Sequence, residues 1–441
     1  MKLIKYWRNL RPNQRVGAVL LALYAVVFPL AQVGRLQIGE IVFYISDAIV
    51  CLWLLVQHQD ALAFARRVIG WMKRHPLSWF VLGWAVGTLV IGSVLAEQFR
   101  PALLSLRILA YFLFAGSVAG VFVDKPHFVR SLLLAISGVF TWLGLLQYFL
   151  MPDTRFLRNL GWDDHYYRLL GTFFDPNFAG MALVLACIVV FSLHNKLPRY
   201  ILSLTLMVLA ACVAVTFSRS SYLAFASTVA AILLIPAVLQ YWQGKEKVAA
   251  GMIIAISFAL AIVAAPKPGG EGVKLLRTSS IEARATATQE YVAQLRPWSI
   301  LWGTGLFVQP QGIREETTPS QGSSWSEISS PQSVFFTSDS ASDVPNHSQT
   351  PDNIFITLLS GVGIVGTVGA IALMIIFIHD LSRHEMLAAV ALGGTLIHSQ
   401  FNNTLFEPFI FQYLMLFILA PLPVVERVKS GFRKKHQRGV G

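Results

Sequence analysis

Apolar runs close to the length of a membrane span recur from one end of the chain to the other. "LSWFVLGWAVGTLVIGSVL" at 77–95 and "IFITLLSGVGIVGTVGAIALMIIFI" at 354–378 are two of them. As a helix, a run of about 20 residues crosses the hydrocarbon core of a bilayer. Inside lipid only helices and closed barrels satisfy their own backbone. The repeated runs therefore predict an all-α integral membrane protein. Composition agrees: 55% of the 441 residues are hydrophobic and 13% are charged, where a soluble chain would carry roughly twice that charged fraction.

About twelve spans are expected, at 15–34, 38–57, 77–96, 101–123, 129–150, 177–194, 200–217, 220–241, 248–265, 352–378, 386–402 and 405–424. No small-residue cleavage site stands out behind the first, so it reads as a span and not as a removed signal peptide. Alternate loops divide by charge. One set carries Arg8, Arg11 and Arg15, then Arg66, Arg67, Lys73 and Arg74, then Lys125, Arg130, Lys196, Arg199, Lys245, Lys247 and Arg383, and finally a basic tail at 425–441. The positive-inside rule puts this set and both termini in the cytoplasm. The formal charge of +12 is then mostly a topology signal, with anionic lipid as a secondary partner of the tail and no nucleic acid implied. The chain divides into nine spans over 1–265 (with a short outer segment at 151–176), a large outer loop at 266–351 between spans nine and ten, three spans over 352–424, and the tail. Within the outer loop a Ser-capped helix is expected from about 280 to 295. Cys51, Cys187 and Cys212 lie inside apolar runs without metal-ligand spacing and read as small buried hydrophobes.

The outward-facing set is different in kind. Its basic residues are mostly arginine, among them Arg35, Arg100, Arg155, Arg158, Arg168, Arg219, Arg277, Arg284, Arg296 and Arg314, with Lys267 and Lys274 as the lysines. A topology signal does not select arginine over lysine; recognition of phosphate or carboxylate by a planar fork does. Arg107 lies inside the fourth span, roughly 9 Å below its outer end at 1.5 Å per residue. A charge at that depth marks a functional site by default. Two compatible readings apply: a structural pair with Asp47 (Glu40 lies nearer the rim), or a phosphate site. Arg219 in "VTFSRSSYLAF" opens the eighth span, where a helix N-terminus and an Arg-Ser-Ser run suit an anion; an interfacial arginine that snorkels is the plainer reading. Arg168 precedes "GTFFDPN", whose Asp175-Pro176-Asn177 also reads as simple helix capping. Arg284 falls on the outer-loop helix, where a solvated face is the alternative.

Four stretches together resemble the O-antigen ligase and polymerase superfamily of bacterial membrane glycosyltransferases. They are "SLRILAYFLF" in the fourth span, "RLLGTFFDPNFAG" before the sixth, "TFSRSSYLA" at the eighth, and the large outer loop leading into "DNIFITLLSGVGIVG". In that order and topology they cover nearly the whole chain. The resemblance implies transfer of a glycan from undecaprenyl pyrophosphate to a hydroxyl of an acceptor glycan or glycolipid, at the outer face of a bacterial inner membrane, in surface polysaccharide synthesis. It implies no cofactor and no metal. Arg107, Arg168, Arg219 and Arg284 would hold the pyrophosphate, with Asp47, Asn177, Ser218 and Asn353 in support. Members of the superfamily typically carry His-Asn or His-Ser, nine residues and Gly-x-x-Gly at the end of the loop. Here Asp352-Asn353 with Gly363 and Gly366 has that spacing, and aspartate stands where histidine would. Either Asp352 is the general base, or His347, five residues earlier, reaches the site. Gly361, Gly363 and Gly366 are expected to allow close helix packing. A multi-span transporter or flippase of lipid-linked glycan is the alternative function. It would place its unusual charges near the bilayer midplane, and such folds are often built from two related halves. A cell-wall polymerase of the shape-and-division type shares the architecture but not recognisable motifs.

Overall fold

The computed structural model describes residues 10–38, 41–160, 165–194, 196–235, 244–266, 279–308 and 353–420. Asp352, His347 and Glu40 lie outside the described residues, as do 309–351 and the tail; of Arg284 only the backbone is described.

The described chain is mostly helical. In chain order the helices are α1 (Pro12–Val27), α2 (Ile45–Val56), α3 (His58–Arg74), α4 (Leu77–Leu95), α5 (Arg100–Val121), α6 (Pro126–Leu150), α7 (Pro176–Ser192), α8 (Arg199–Val215), α9 (Arg219–Leu234), α10 (Gly244–Ala264), α11 (Ser279–Gln294), α12 (Pro297–Trp302), α13 (Ile354–His384), α14 (Met386–His398) and α15 (Pro408–Leu419). Every apolar segment expected from sequence contains one of them. Five are long and apolar enough to cross a membrane: Pro12–Gly34, Leu77–Leu95, Arg100–Val121, His127–Leu150 and Ile354–His384. The bent pair α2–α3 makes a sixth if counted as one span. The remaining apolar helices are shorter, from Pro408–Leu419 to Pro176–Ser192.

Two expectations fail locally. The second apolar segment is not helical from 38. β1 (Arg35–Ile38) and β2 (Ile41–Tyr44) pair antiparallel, Arg35 opposite Tyr44 and Ile38 opposite Ile41. β-branched and aromatic residues in "IVFY" suit a strand, and helix starts only at Ile45. The basic stretch around Arg66 and Arg67, expected as a loop, is the amphipathic helix α3, set at 87° to α2.

The core is built from helices with no polar face. In α7 every residue from Phe178 to Phe191 is buried, and in α15 every residue from Pro408 to Leu419 except half-buried Phe411 is buried. A helix apolar on all sides belongs inside a bundle or in lipid. α6, α8, α9 and α14 pack around α7, and α5 and α6 flank α15. α4 is the opposite case: among its residues only Ser78 and Gly92 are buried. At one end of the bundle Arg130 Nη2 meets Glu385 Oε2 at 2.9 Å and Trp71 Nε1 donates to Asp380 Oδ2 at 3.1 Å. The other end is also polar, through buried hydroxyl and amide side chains.

Candidate functional site

Two helices start at this polar end from a strained turn. Phe174 (φ 58°) precedes the cap of α7, and Phe217 (φ 50°) precedes the cap of α9. Left-handed backbone at bulky residues persists only where the surroundings hold it. Arg168 does the holding at the second turn. Its Nε donates to the Thr216 carbonyl at 2.9 Å and its Nη2 to the Phe217 carbonyl at 3.1 Å. Its Nη1 lies 3.5 Å from His165 Nδ1. Asp175 caps α7, its Oδ1 accepting from the amides of Asn177 (2.5 Å) and Phe178 (3.2 Å). The capping reading thus describes Asp175, and it leaves the Asn177 side chain for another task.

That task is a buried hydroxyl network. Asn177 Oδ1 accepts from Ser218 Oγ at 2.6 Å and from Ser220 Oγ at 3.4 Å, while the Asn177 carbonyl accepts from Ser221 Oγ at 3.3 Å. Gly180 permits this: a Cβ there would collide with the Ser221 side chain, so α9 comes against α7 only because the residue is glycine. Ser218 Oγ also caps α9, accepting from the Ser221 amide at 3.3 Å. From α14, fully buried His398 places Nε2 3.1 Å from Ser221 Oγ and Nδ1 2.6 Å from Thr404 Oγ1. Thr404 donates its own hydroxyl to the Asn402 carbonyl at 3.0 Å. It therefore accepts from His398 Nδ1–H. Asn402 Nδ2 closes the circuit on Ser220 Oγ at 3.0 Å.

The start of α13 joins the same circuit. Asn353 caps the helix through the amides of Phe355 (2.8 Å) and Ile356 (3.3 Å), and its Nδ2 donates to the Gln400 carbonyl at 3.0 Å. Thr357 Oγ1 reaches Asn403 Oδ1 at 3.1 Å. Capping, one reading of Asp352, is thus done by Asn353. Beside the network Glu407, fully buried, caps α15 through Ile410 N at 2.7 Å, and its Oε1 has no hydrogen-bond partner.

Arg107 is paired. Its Nη2 lies 2.7 Å from Asp47 Oδ2 and also donates to the Val42 carbonyl of the hairpin. Tyr111 donates to Asp47 Oδ1, and the Tyr44 amide donates to Oδ2 at 2.9 Å. The guanidinium lies 5.3 Å from the Tyr44 ring centre. Both side chains of the pair are 13% exposed. The pair therefore locks the hairpin to α2 and α5. Tyr44 in turn contacts Phe409 of α15 at 4.7 Å between ring centres, which connects this corner with the start of α15.

The loop before α13 is fastened to a break in that helix. Gly363 has φ 67° and ψ −178°, outside helical values. Carbonyls freed around it are taken up: Thr304 N donates to Ser360 O at 2.9 Å, Gly305 N to Gly361 O at 2.7 Å, and Trp84 Nε1 to Val362 O at 2.8 Å. Irregular backbone at membrane depth is tolerated when other parts of the protein satisfy it in this way. The glycines do more than allow close packing.

Of the residues singled out from sequence, the structure brings Asn177 and Ser218 into direct contact, places Arg168 on the turn before Ser218, and ties Asn353 to the same circuit through 400–403. Half-buried Arg219 opens α9 beside it. The Arg107–Asp47 pair forms a second corner. Asp352, His347 and the Arg284 side chain lie outside the described residues. Ser221 belongs to the Arg-Ser-Ser run already singled out, but sequence reading missed His398, Asn402, Thr404 and Glu407. Their signal was the polar interruption "HSQFNNTLFE" between two apolar runs. His165, in the segment at 151–175, is held well below its ordinary value of 6.5, at about 3, because burial disfavours the charged ring and Arg168 stands next to it. Among the described residues, no three His, Cys, Asp or Glu side chains gather in a group able to hold a metal ion. No family model matches this sequence, and no curated protein matches it.

Proposed function

We propose that the protein is a polytopic membrane glycosyltransferase of the O-antigen ligase and polymerase type, which moves a glycan from undecaprenyl pyrophosphate to an acceptor sugar hydroxyl. The observation that carries this reading is the convergence of separate motifs. The turn at 168–177, the Ser218–Ser221 turn and the start of α13 are far apart in sequence and meet in one hydrogen-bonded circuit at one end of the bundle. These are the stretches on which the resemblance rests. A family-independent argument points the same way: arginines, helix N-termini and hydroxyls gathered at one end of an apolar bundle suit a pyrophosphate leaving group.

In this reading the chain crosses a bacterial inner membrane about twelve times, with both termini in the cytoplasm and the polar end facing out. Arg219 and Arg284 meet the pyrophosphate and stabilise the charge that develops on it, without a metal. The guanidinium of Arg168 is engaged with the Thr216–Phe217 carbonyls and His165, so Arg168 acts through the turn that presents Arg219. Arg107 acts through Asp47 and the hairpin. Asp352 or His347 accepts the proton of the acceptor hydroxyl as its oxygen attacks the anomeric carbon. The C–O bond to the pyrophosphate breaks as the new glycosidic bond forms, and the lipid pyrophosphate leaves with the electron pair.

A flippase of lipid-linked glycan is the second reading. The break in α13 favours it, since discontinuous helices line transport sites. Against it, the carbonyls at that break are taken up by Thr304, Gly305 and Trp84, and the polar circuit sits at one end of the bundle.

The test is transfer in liposomes, with an undecaprenyl-pyrophosphate glycan, a panel of acceptors and a chelator present. Asp352→Asn and His347→Ala run in parallel. One of the two should abolish transfer and so identify the base. Glycan crossing the bilayer with no transfer to any acceptor would establish the flippase instead.

A further inference from the structure

α3 crosses one end of the bundle at nearly a right angle to its neighbours. α2 runs alongside α5 in the same direction: Asp47 meets Arg107 and Tyr111, and six residues later Trp53 Nε1 donates to Ser117 Oγ at 2.6 Å. α5 is long and apolar enough to cross a membrane, and α3 is set at 87° to α2. α3 therefore lies close to the membrane plane. The joint is fixed, because Gln57, buried between the two helices, donates its Nε2 to the Asn13 carbonyl at the start of α1 at 2.9 Å. Two glycines of α5 receive α3. A Cβ at Gly116 would overlap the Phe64 ring, and one at Gly120 would crowd the Arg67 guanidinium. Further along, Trp71 is bonded to Asp380 near the end of α13. Phe64, Arg67 and Trp71 thus form the face that packs on the bundle. Gly116 lies five residues before the end of α5, about 8 Å at 1.5 Å per residue. That is the depth at which an amphipathic helix rests between headgroups and acyl chains.

The opposite face of α3 is exposed. From residue 62 onward it presents Leu62, Arg66, Ile69, Gly70, Lys73 and Arg74, spaced three and four apart as on one side of a helix. Leu62 is 54% exposed and Ile69 41%, and they follow directly on the exposed apolar Leu52, Leu55 and Val56 of α2. Gly70 leaves an open notch, since a Cβ there meets nothing within 4 Å. Arg66 stands one turn before the notch and Arg74 one turn after it. No acidic side chain shares this face. Asp60, the one acidic residue of α3, is half-buried and interacts with Arg67 and Arg11.

From this geometry we infer that α3 is a membrane-surface helix that binds anionic phospholipid. Arg66, Lys73 and Arg74 take the headgroup phosphates around the notch at Gly70, and Leu62 and Ile69 enter the acyl boundary. Two observations select this occupant. The level of α3 on α5 and the run of exposed apolar residues from α2 put the face against lipid and not against a soluble partner. Three cations without an acid favour an anionic head over a zwitterionic one, each contributing about fivefold near an anionic surface. The inference requires that α5 crosses the bilayer, and it is independent of the glycosyltransferase reading. In the proposed topology the leaflet is the cytoplasmic one.

The experiment reads lipid contact directly. Full-length protein is placed in phosphatidylcholine nanodiscs that hold a minority of phosphatidylglycerol with a diazirine high on one acyl chain, and the labelled peptides are mapped after irradiation. Label is expected within 58–74. Unmodified phosphatidylglycerol should compete it away, whereas phosphatidylcholine and inorganic phosphate should not. Arg66→Gln, Lys73→Gln and Arg74→Gln together should lower label in 58–74 about tenfold or more. All three side chains are exposed, so this variant should melt like the wild type. Lys196→Gln, exposed in the loop after α7, should leave label in 58–74 unchanged. With the native cysteines replaced, a nitroxide on Leu62→Cys should be relaxed more by oxygen than by a water-soluble nickel chelate, and one on Lys196→Cys should show the reverse. Equal labelling by a phosphatidylcholine probe would make the face an ordinary lipid contact and overturn the inference. So would competition by inorganic phosphate, label that misses 58–74, or label that survives loss of the three cations. Dominant nickel relaxation at residue 62 would show a face in water, open to a soluble partner, and would overturn it as well. No glycan donor or acceptor is present, so failure here leaves the glycosyltransferase reading standing, and absence of transfer leaves this surface standing.

Discussion

Arg107 and Asp47 show how much a single charge inside an apolar run reveals. Each is conspicuous because its neighbours are apolar, and a charge at that depth needs a partner. The pair was therefore legible in the sequence. The hairpin carbonyl, which completes its bonding alongside Tyr111, was not, because it depends on a strand that hydropathy alone reads as helix. Removing one partner leaves the other uncompensated. Asp47→Ala and Arg107→Ala should each destabilise the protein by about 3 kcal/mol, and the double variant should cost less than their sum. Thermal unfolding in detergent measures the cycle; strict additivity would mean that the pair contributes nothing. His165 gives a pH signature at the same scale. Its folded pKa is depressed, from 6.5 to about 3. Between those values the unfolded chain binds a proton at His165 that the folded chain does not, so the contribution of His165 is constant above about pH 6.5 and lowers stability as the pH drops toward 3. Melting curves across that range should show the loss in the wild type. His165→Gln, which cannot take up the proton, should lose most of the slope; an unchanged slope would assign the acid sensitivity to other groups.

Among the elements, α13 departs most from its sequence pattern. Hydropathy reads 352–378 as one span, and the three glycines suggest packing. What periodicity cannot express is that Gly363 leaves helical geometry and that residues some sixty positions earlier bond to the carbonyls exposed there. Such a break depends on tertiary partners: Thr304, Gly305 and Trp84 must be in place. An alanine at Gly363 would have to adopt a positive φ with extended ψ, a region almost confined to glycine, which costs about 1–3 kcal/mol, and its Cβ would collide with the Leu301 carbonyl. Gly363→Ala should lower the unfolding temperature and speed proteolysis within 279–308, by releasing the loop. Gly393→Ala on α14, where a Cβ meets nothing, should be neutral or slightly stabilising because alanine favours helix. If the two variants behave alike, the break has no role in holding the loop. The polar circuit of α7, α9 and α14 was half legible. Asn177 and Ser218 stood out beside helix starts, whereas His398 lay inside an expected span and Thr404 in a connection that looked too short to matter.

At the scale of the whole molecule, the recurrence of apolar runs was the strongest signal, and each expected run contains a helix. Span number is an expectation from the apolar runs and sidedness one from charge distribution, which acts during insertion and leaves little trace in packing. They can be tested by labelling. With the three native cysteines replaced, Ser323→Cys in the large loop should react with an impermeant maleimide in intact cells, and Ser430→Cys in the tail should react only after lysis. Reaction of both in intact cells would break the proposed topology. The central claim is that the circuit joining Asn177, Ser218 and the start of α13 presents Arg219 to a lipid pyrophosphate. The most direct measurement is glycan transfer from undecaprenyl pyrophosphate by purified protein in liposomes without divalent metal, comparing wild type with Arg219→Ala and Arg219→Lys. The account predicts transfer by the wild type, a loss of about a hundredfold or more in kcat for Arg219→Ala, and partial recovery in Arg219→Lys, which keeps the charge and loses the fork. Full transfer by Arg219→Ala, or no transfer by the wild type to any acceptor, would contradict it.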